Sequence, residues 1–153
     1  MVKVSIIGRG EGEAIRLGPT MQMRILEDGG TTEHRLGMAE GTLAPHTPGP
    51  PQHRHAQHDE AFYVLSGIVR FTIGEQDHDA GPGTLVMVPI GAPHTFANPG
   101  DEPAVLLTAF TPDLYVQYFR DLRDAGAAGP PTSSAIDALM ARYATEPSNE
   151  YAP

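Results

Sequence analysis

Two short stretches on strand-like segments constrain the fold of this chain more than anything else in it. The first runs His53-Arg54-His55, then four residues to Glu60 and six more to Gly67. The second runs from Gly83 through five residues to Pro89, then Gly91, two residues to His94 and three more to Asn98. Side chains on a strand alternate faces, so His53 and His55 point one way and Arg54 the other. Glu60 stands just before the apolar run Ala61–Leu65, one short turn from the histidine pair. His94 follows the turn Pro89-Ile90-Gly91-Ala92-Pro93 and opens another strand-like run. A barrel brings such strands side by side. Three imidazoles and one carboxylate then make a compact donor set for one divalent metal ion, and mixed nitrogen and oxygen donors suit Fe, Ni, Co, Mn, Cu or Zn.

The rest of the sequence narrows what such a site serves. There is no cysteine, so disulfides and thiolate ligands are excluded and any metal rests on histidine and carboxylate. At 153 residues the chain is about one domain, and its 17 Gly and 15 Pro mark many turns rather than long helices. Nineteen acidic residues oppose ten basic ones for a formal charge of -9, with no Lys/Arg cluster. A nucleic-acid backbone needs cationic neutralisation, so nucleic acid is excluded as a partner. The apolar-leaning stretch before Gly8 is too short for a signal-peptide core, and no run of about 18 apolar residues occurs. The expectation is a soluble, cytoplasmic protein with no membrane partner.

Punctuation by Gly, Pro, Asp and Asn divides the chain up to Phe110 into short apolar or alternating runs. Strands are expected at Val2–Ile7, Thr20–Leu26, Thr31–Leu43, His53–His55, Ala61–Ser66, Ile68–Ile73, Thr84–Val88, His94–Ala97 and Ala104–Phe110. Asp28-Gly29-Gly30 and Ser66-Gly67 read as hairpin turns, where glycine supplies a positive φ. After Phe110 the pattern turns helical. Thr111-Pro112 resembles an N-cap with proline at the first helical position, and Tyr115, Tyr118, Phe119 and Leu122 recur at helical spacing up to Gly126. Ile136, Leu139, Met140 and Tyr143 repeat the stripe after a linker. The division is thus a β-barrel at 1–110 and a helical extension at 111–153. That extension either packs on the barrel exterior or a partner subunit, or closes the barrel mouth. Residues 146–153 read as a frayed tail.

The two stretches resemble the paired signature motifs of the cupin superfamily. The second matches at every position from Gly83 to Asn98. The first matches from His53 to Gly67, but its leading glycine is displaced, because Gly49 lies closer to His53 than the family pattern has it. The resemblance covers about Thr31 to Phe110. It implies an all-β double-stranded β-helix, a jelly-roll barrel, with two C-terminal helices behind it, and it makes His53, His55, Glu60 and His94 the metal ligands. It also implies that Pro89 starts a β-turn and that Asn98 supports the loop near the second strand. The barrel followed by the segment TPDLYVQYFRDL resembles the small bacterial quercetinase-like cupins, which implies a dioxygenase acting on a flavonol-like or enolic aromatic molecule, with Glu60 as ligand and catalytic base.

Other readings stay open. The ligand set equally suits a cyclase or isomerase that uses the metal as a Lewis acid, with Glu60 or His58 moving the proton, or a non-catalytic binding module. His58 is either a fifth ligand or, more in keeping with its turn position, an exposed or supporting residue. His34, His46 and His78 read as surface or loop histidines. Gln57 and Asp59 are candidate acceptors for the second ring nitrogens of the ligand histidines. Alternation puts Phe62 and Val64 on the face of Glu60, Tyr63 and Leu65 opposite, and Phe96 on the face of His94; Met21 with Met23, and Leu36 with Met38, read as barrel core. A hydrophobic or aromatic small molecule is the expected substrate. The apolar run at the N-terminus is expected to exchange between two copies in a homodimer.

Overall fold

Inward positions on the central strands alternate between very small and large apolar residues, and this shapes the molecule. The computed structural model of the chain describes residues 3–148. Among them, β1 (Glu13–Leu17), β2 (Met21–Asp28), β3 (Gly37–Leu43), β5 (Asp59–Ser66), β8 (Leu85–Val88) and β10 (Ala104–Thr111) form an antiparallel sheet in the order β1-β2-β3-β10-β5-β8. A second sheet, β7-β6-β9, is built from β6 (Val69–Ile73), β7 (Gln76–Ala80) and β9 (Thr95–Ala97). β4 (His53–His55) pairs with a C-terminal strand, β11 (Thr145–Pro147). Two helices, α1 (Leu114–Ala125) and α2 (Ser133–Arg142), lie between β10 and β11 in the chain. This is an all-β jelly roll followed by two helices, the architecture that the resemblance implies.

One face of the large sheet is covered in two parts. At one end, Leu43, Phe62, Val64 and Leu106 pack on Val69 and Phe71 of the small sheet, with the Phe62 and Phe71 rings 5.2 Å apart. At the other end, Ile15, Met23, Ala39 and Phe110 pack on Tyr115, Val116 and Phe119 of α1 and on Met140 of α2. Each fully buried large apolar side chain contributes about 1.5–3 kcal/mol. β3 turns Gly37, Ala39 and Gly41 inward, which lets α1 come close: a Cβ at Gly37 would stand 2.6 Å from a methyl of Val116. Glu60 and Thr108 lie on the same face between the two apolar clusters. On the opposite face, Tyr63, Leu65, Leu85 and Met87 are exposed beside the sheet edge at β8.

Several strand limits differ from those expected. Val2 lies outside the described residues, and residues 3–7 form no strand, with Val4 and Ile6 more than four-fifths exposed. The sheet edge is held instead by β1, whose alternation is short and mixed with charge. The strand expected from Thr31 begins at Gly37, because Glu33 and His34 take positive φ values of 52° and 61° in the loop from β2. Met38 therefore points outward while its neighbours Gly37 and Ala39 face the core. Asp28-Gly29-Gly30 does open the connection of the paired strands β2 and β3. Ser66-Gly67 is not a hairpin turn, since β5 and β6 belong to different sheets and the glycine, at φ 70°, carries the chain across. The tight hairpin is Gly74-Glu75, between the paired residues Ile73 and Gln76.

The helical region shows the same mixture. Thr111 is still paired with Asp59 in the sheet, so the cap of α1 falls to Asp113, while Gly126 ends the helix as its sequence position suggests. α2 is capped by Thr132, whose hydroxyl accepts from the Ala135 N–H at 3.2 Å. Neither helix is long and apolar enough to cross a membrane. Glu146 and Pro147, expected to fray, sit in β11, whereas residues 149–153 of that expected tail lie outside the described residues.

Candidate metal centre

β4 presents His53 and His55 inward, both almost fully buried, and turns Arg54 outward onto Glu146 at 2.6 Å. Glu60 follows at the second position of β5. His94 immediately precedes β9 and is drawn beside β4 by a reciprocal pair of backbone bonds with His53, at 2.9 and 3.0 Å. The turn before it closes on the same strand: Gly91, at φ 84°, donates its N–H to the His55 carbonyl at 2.8 Å, and Ala92 donates to Pro89. Asn98 is buried and its amide donates to the carbonyls of Leu43, Ala44 and Glu102, fixing the loop between β3 and β4 against the end of β9. Gly49, displaced from the family position, meets a different demand. A Cβ there would overlap the carbonyl of Phe96, so the chain leading into β4 passes β9 too closely for a side chain.

One ligand atom from each of His53, His55, Glu60 and His94 falls in a group whose members all lie within 4.8 Å of one another. The outer nitrogen of each ring is pinned. His53 Nδ1 donates to the Pro51 carbonyl at 2.8 Å and His94 Nδ1 to the Ala92 carbonyl at 3.0 Å. His55 Nδ1 faces the Thr145 hydroxyl oxygen at 2.8 Å, and that hydroxyl gives its own proton to the Tyr143 carbonyl, so it accepts from the ring. With the protons on Nδ1, every Nε2 lone pair is free for the centre. Neither Gln57 nor Asp59 serves these rings; Asp59 accepts from the Ile90 N–H instead.

The carboxylate is held from both sides. Thr108 donates to Glu60 Oε1 at 3.0 Å, and Oε2 lies 3.0 Å from His55 Nε2 and 3.2 Å from His94 Nε2. Two nitrogen lone pairs facing a carboxylate oxygen at these separations repel unless positive charge sits among them. The donor set thus fits a divalent cation by its own chemistry. Burial resists ionisation of Glu60, and hydrogen bonds and charge from His55 and His94 rings that carry a proton on Nε2 would outweigh it, holding the carboxyl below the usual carboxylate range. Burial and the neighbouring His94 push His53 down to about 3, so it stays neutral.

His58 is neither exposed nor one of the four grouped residues. It is fully buried against His55, with ring centroids 4.1 Å apart, and near Tyr115 and Phe110. Neither of its ring nitrogens has a hydrogen-bond partner among the described residues, and burial pushes it down to about 4. It therefore behaves as an aromatic filler behind His55. His58→Phe is expected to keep one metal per chain, because only packing is exchanged; loss of metal on that substitution would place His58 among the ligands. His34 pairs with Asp113 and His46 with Asp101, both at the surface, and His78 is exposed on β7.

His53 and Glu60 form part of the polar floor of a cavity of about 540 Å³. Its walls are mostly apolar, with Met23, Phe62, Phe96 and Leu106 from the barrel and Tyr115 and Met140 from the helices, and Arg16 and Arg123 are also on the lining. Phe62 and Val64 share the buried face of Glu60 while Tyr63 and Leu65 are exposed, in keeping with the alternation read from the sequence. The helical extension packs on the barrel and also closes one side of the cavity. Sequence alone did not locate Thr108 or Thr145, since an isolated threonine in an apolar strand or a chain end carries no ligand signal.

The jelly roll is a cupin fold in which three histidines and a glutamate are grouped together, with His53 and Glu60 of that group on the lining of the cavity. Residues 39–110, which include all four candidate ligands, match the family of cupin domains. Among solved structures, the fold is similar to the polyketide cyclase RemF from Streptomyces resistomycificus, with a TM-score of 0.62, 21% identity, and coverage of 71% of this chain and 80% of that one. It is similar to KdgF from Halomonas sp., with a TM-score of 0.63, 17% identity and coverage of 72% and 94%. A sugar phosphate isomerase of the cupin superfamily from Silicibacter pomeroyi aligns with a TM-score of 0.60, 23% identity and coverage of 70% and 75%. An uncharacterized protein of Streptomyces coelicolor is 34% identical over 62 residues, which span 40% of this chain and 58% of that protein.

Proposed function

We propose that this protein is a metal-dependent cupin enzyme whose ion acts as a Lewis acid on a carbonyl or enol oxygen of an apolar aromatic molecule, in a cyclisation or isomerisation. The observation that carries this reading is the fixation of Glu60, with Oε1 held by Thr108 and Oε2 set between His55 and His94. The dioxygenase implied by the quercetinase-like resemblance needs that carboxylate to leave the metal and take a proton, and a carboxylate held by Thr108 at one oxygen, with the other set among the metal-facing nitrogens, is a poor mobile base. Two of the similar folds, a polyketide cyclase and a sugar phosphate isomerase, support the same side by their names.

His53, His55, Glu60 and His94 would hold the ion, which supplies Lewis acidity toward the substrate oxygen it meets. The remaining work falls to the protein. Phe62, Phe96 and Leu106 bind the flat apolar body and exclude water, which strengthens every polar contact at the floor. Burial raises the phenols of Tyr115 and Tyr118 above their ordinary range, so both line the cavity in the protonated form. The cavity volume lies within the roughly 300–1,000 Å³ usual for small-molecule sites. A panel of enolic and carbonyl aromatics, turned over by metal-loaded protein in air and under argon, tests the reading. Equal rates in both are expected. Turnover that stops under argon, with oxygen consumed in step with substrate in air, would restore the dioxygenase.

A further inference from the structure

His53 and His94 take their Nδ1 acceptors from carbonyls two residues earlier in their own segments. His55 does not. Its acceptor, the Thr145 hydroxyl, lies 90 residues away on β11 and is itself buried. β11 is laid along β4 with Thr145 opposite His55, and two further bonds tie the same segment down, Ala56 N–H to the Ala144 carbonyl at 2.8 Å and Ser148 N–H to the Gln52 carbonyl at 2.9 Å. Ala144 adopts a positive φ of 49°, a conformation that an L-residue keeps only where its surroundings enforce it. Just upstream, α2 supplies Ile136 and Met140 to the cavity wall.

We propose that Thr145 is a positioning residue for His55, and that metal binding and docking of residues 143–148 are one coupled equilibrium, so that the α2 side of the cavity closes firmly only when the centre is loaded. This rests on the metal reading of the four-residue site. A docked Thr145 fixes the tautomer and orientation of His55, and loss of such an outer partner typically weakens metal by about 10–100-fold. By reciprocity, metal favours the docked strand by the same factor by which docking favours metal.

The test uses the full chain and Co²⁺ alone, titrated against a competing chelator, with amide hydrogen exchange of residues 143–148 followed with and without the ion. Thr145→Val is expected to bind Co²⁺ about 10–100-fold more weakly, while Thr145→Ser, which keeps the hydroxyl, binds as the wild type does. Glu146→Ala removes only the exposed pair with Arg54 on the same strand and is expected to leave affinity unchanged, as such pairs contribute little. Co²⁺ should slow exchange across 143–148 in the wild type and in Thr145→Ser. Wild-type affinity in Thr145→Val, or exchange of 143–148 indifferent to Co²⁺, would overturn the proposal. If Thr145→Val does not fold, the serine variant and the wild-type exchange still decide it. A wild type that binds no Co²⁺ would instead sink the metal reading itself.

Discussion

His55→Ala and His94→Ala are each expected to yield a folded barrel that no longer holds one metal ion per chain. Each substitution removes an Nε2 donor that no neighbour replaces, since His58 is turned into packing behind His55 and Thr108 is committed to Glu60. The scaffold survives because its strength lies in the two apolar clusters on either side of the site, neither of which contains these histidines. The circular dichroism spectrum should stay that of a β protein while elemental analysis falls from one ion toward none. Full metal in both variants at moderate chelator would refute the ligand assignment.

Glu60→Gln is expected to have a comparable effect on metal for a different reason. The amide keeps an oxygen for Thr108 but turns two N–H donors toward His55 Nε2 and His94 Nε2, where the carboxylate oxygen stood at 3.0 and 3.2 Å. The lone pairs that demanded a cation are then satisfied without one, and the centre has lost its only anionic ligand. Affinity should fall beyond the roughly 10–100-fold cost of losing an outer partner. At saturating metal, turnover should return to within about tenfold of wild type, because Glu60 acts as a fixed ligand. A deficit of about 10²–10⁴ that persists in metal-replete protein would make Glu60 the general base.

The grouping of His53, His55, Glu60 and His94 was legible because strand alternation and turn glycines are local properties. His53 and His55 share a face through their spacing alone, and Gly91 marks the turn that delivers His94. What holds those side chains was not legible. Thr145 reaches His55 across the whole length of the helical extension, and a threonine beside Glu146 and Pro147 near the chain end gives no periodic signal. β7 escaped notice because four of its five residues are exposed and polar, leaving no alternation to read. The opposite failure occurred at Val4 and Ile6, where apolar character without a partner strand produced no strand among the described residues. Of the two readings of His58, exposure fails and support holds: the turn folds inward and stacks the ring on His55.

The most direct test of the account is the metal content of the wild-type chain, purified without chelator and without a nickel column, measured by elemental analysis. One divalent ion per chain is expected, removed only by strong chelator and restored by loading. Protein that stays essentially metal-free after incubation with Fe, Co, Ni, Mn, Cu or Zn would contradict it.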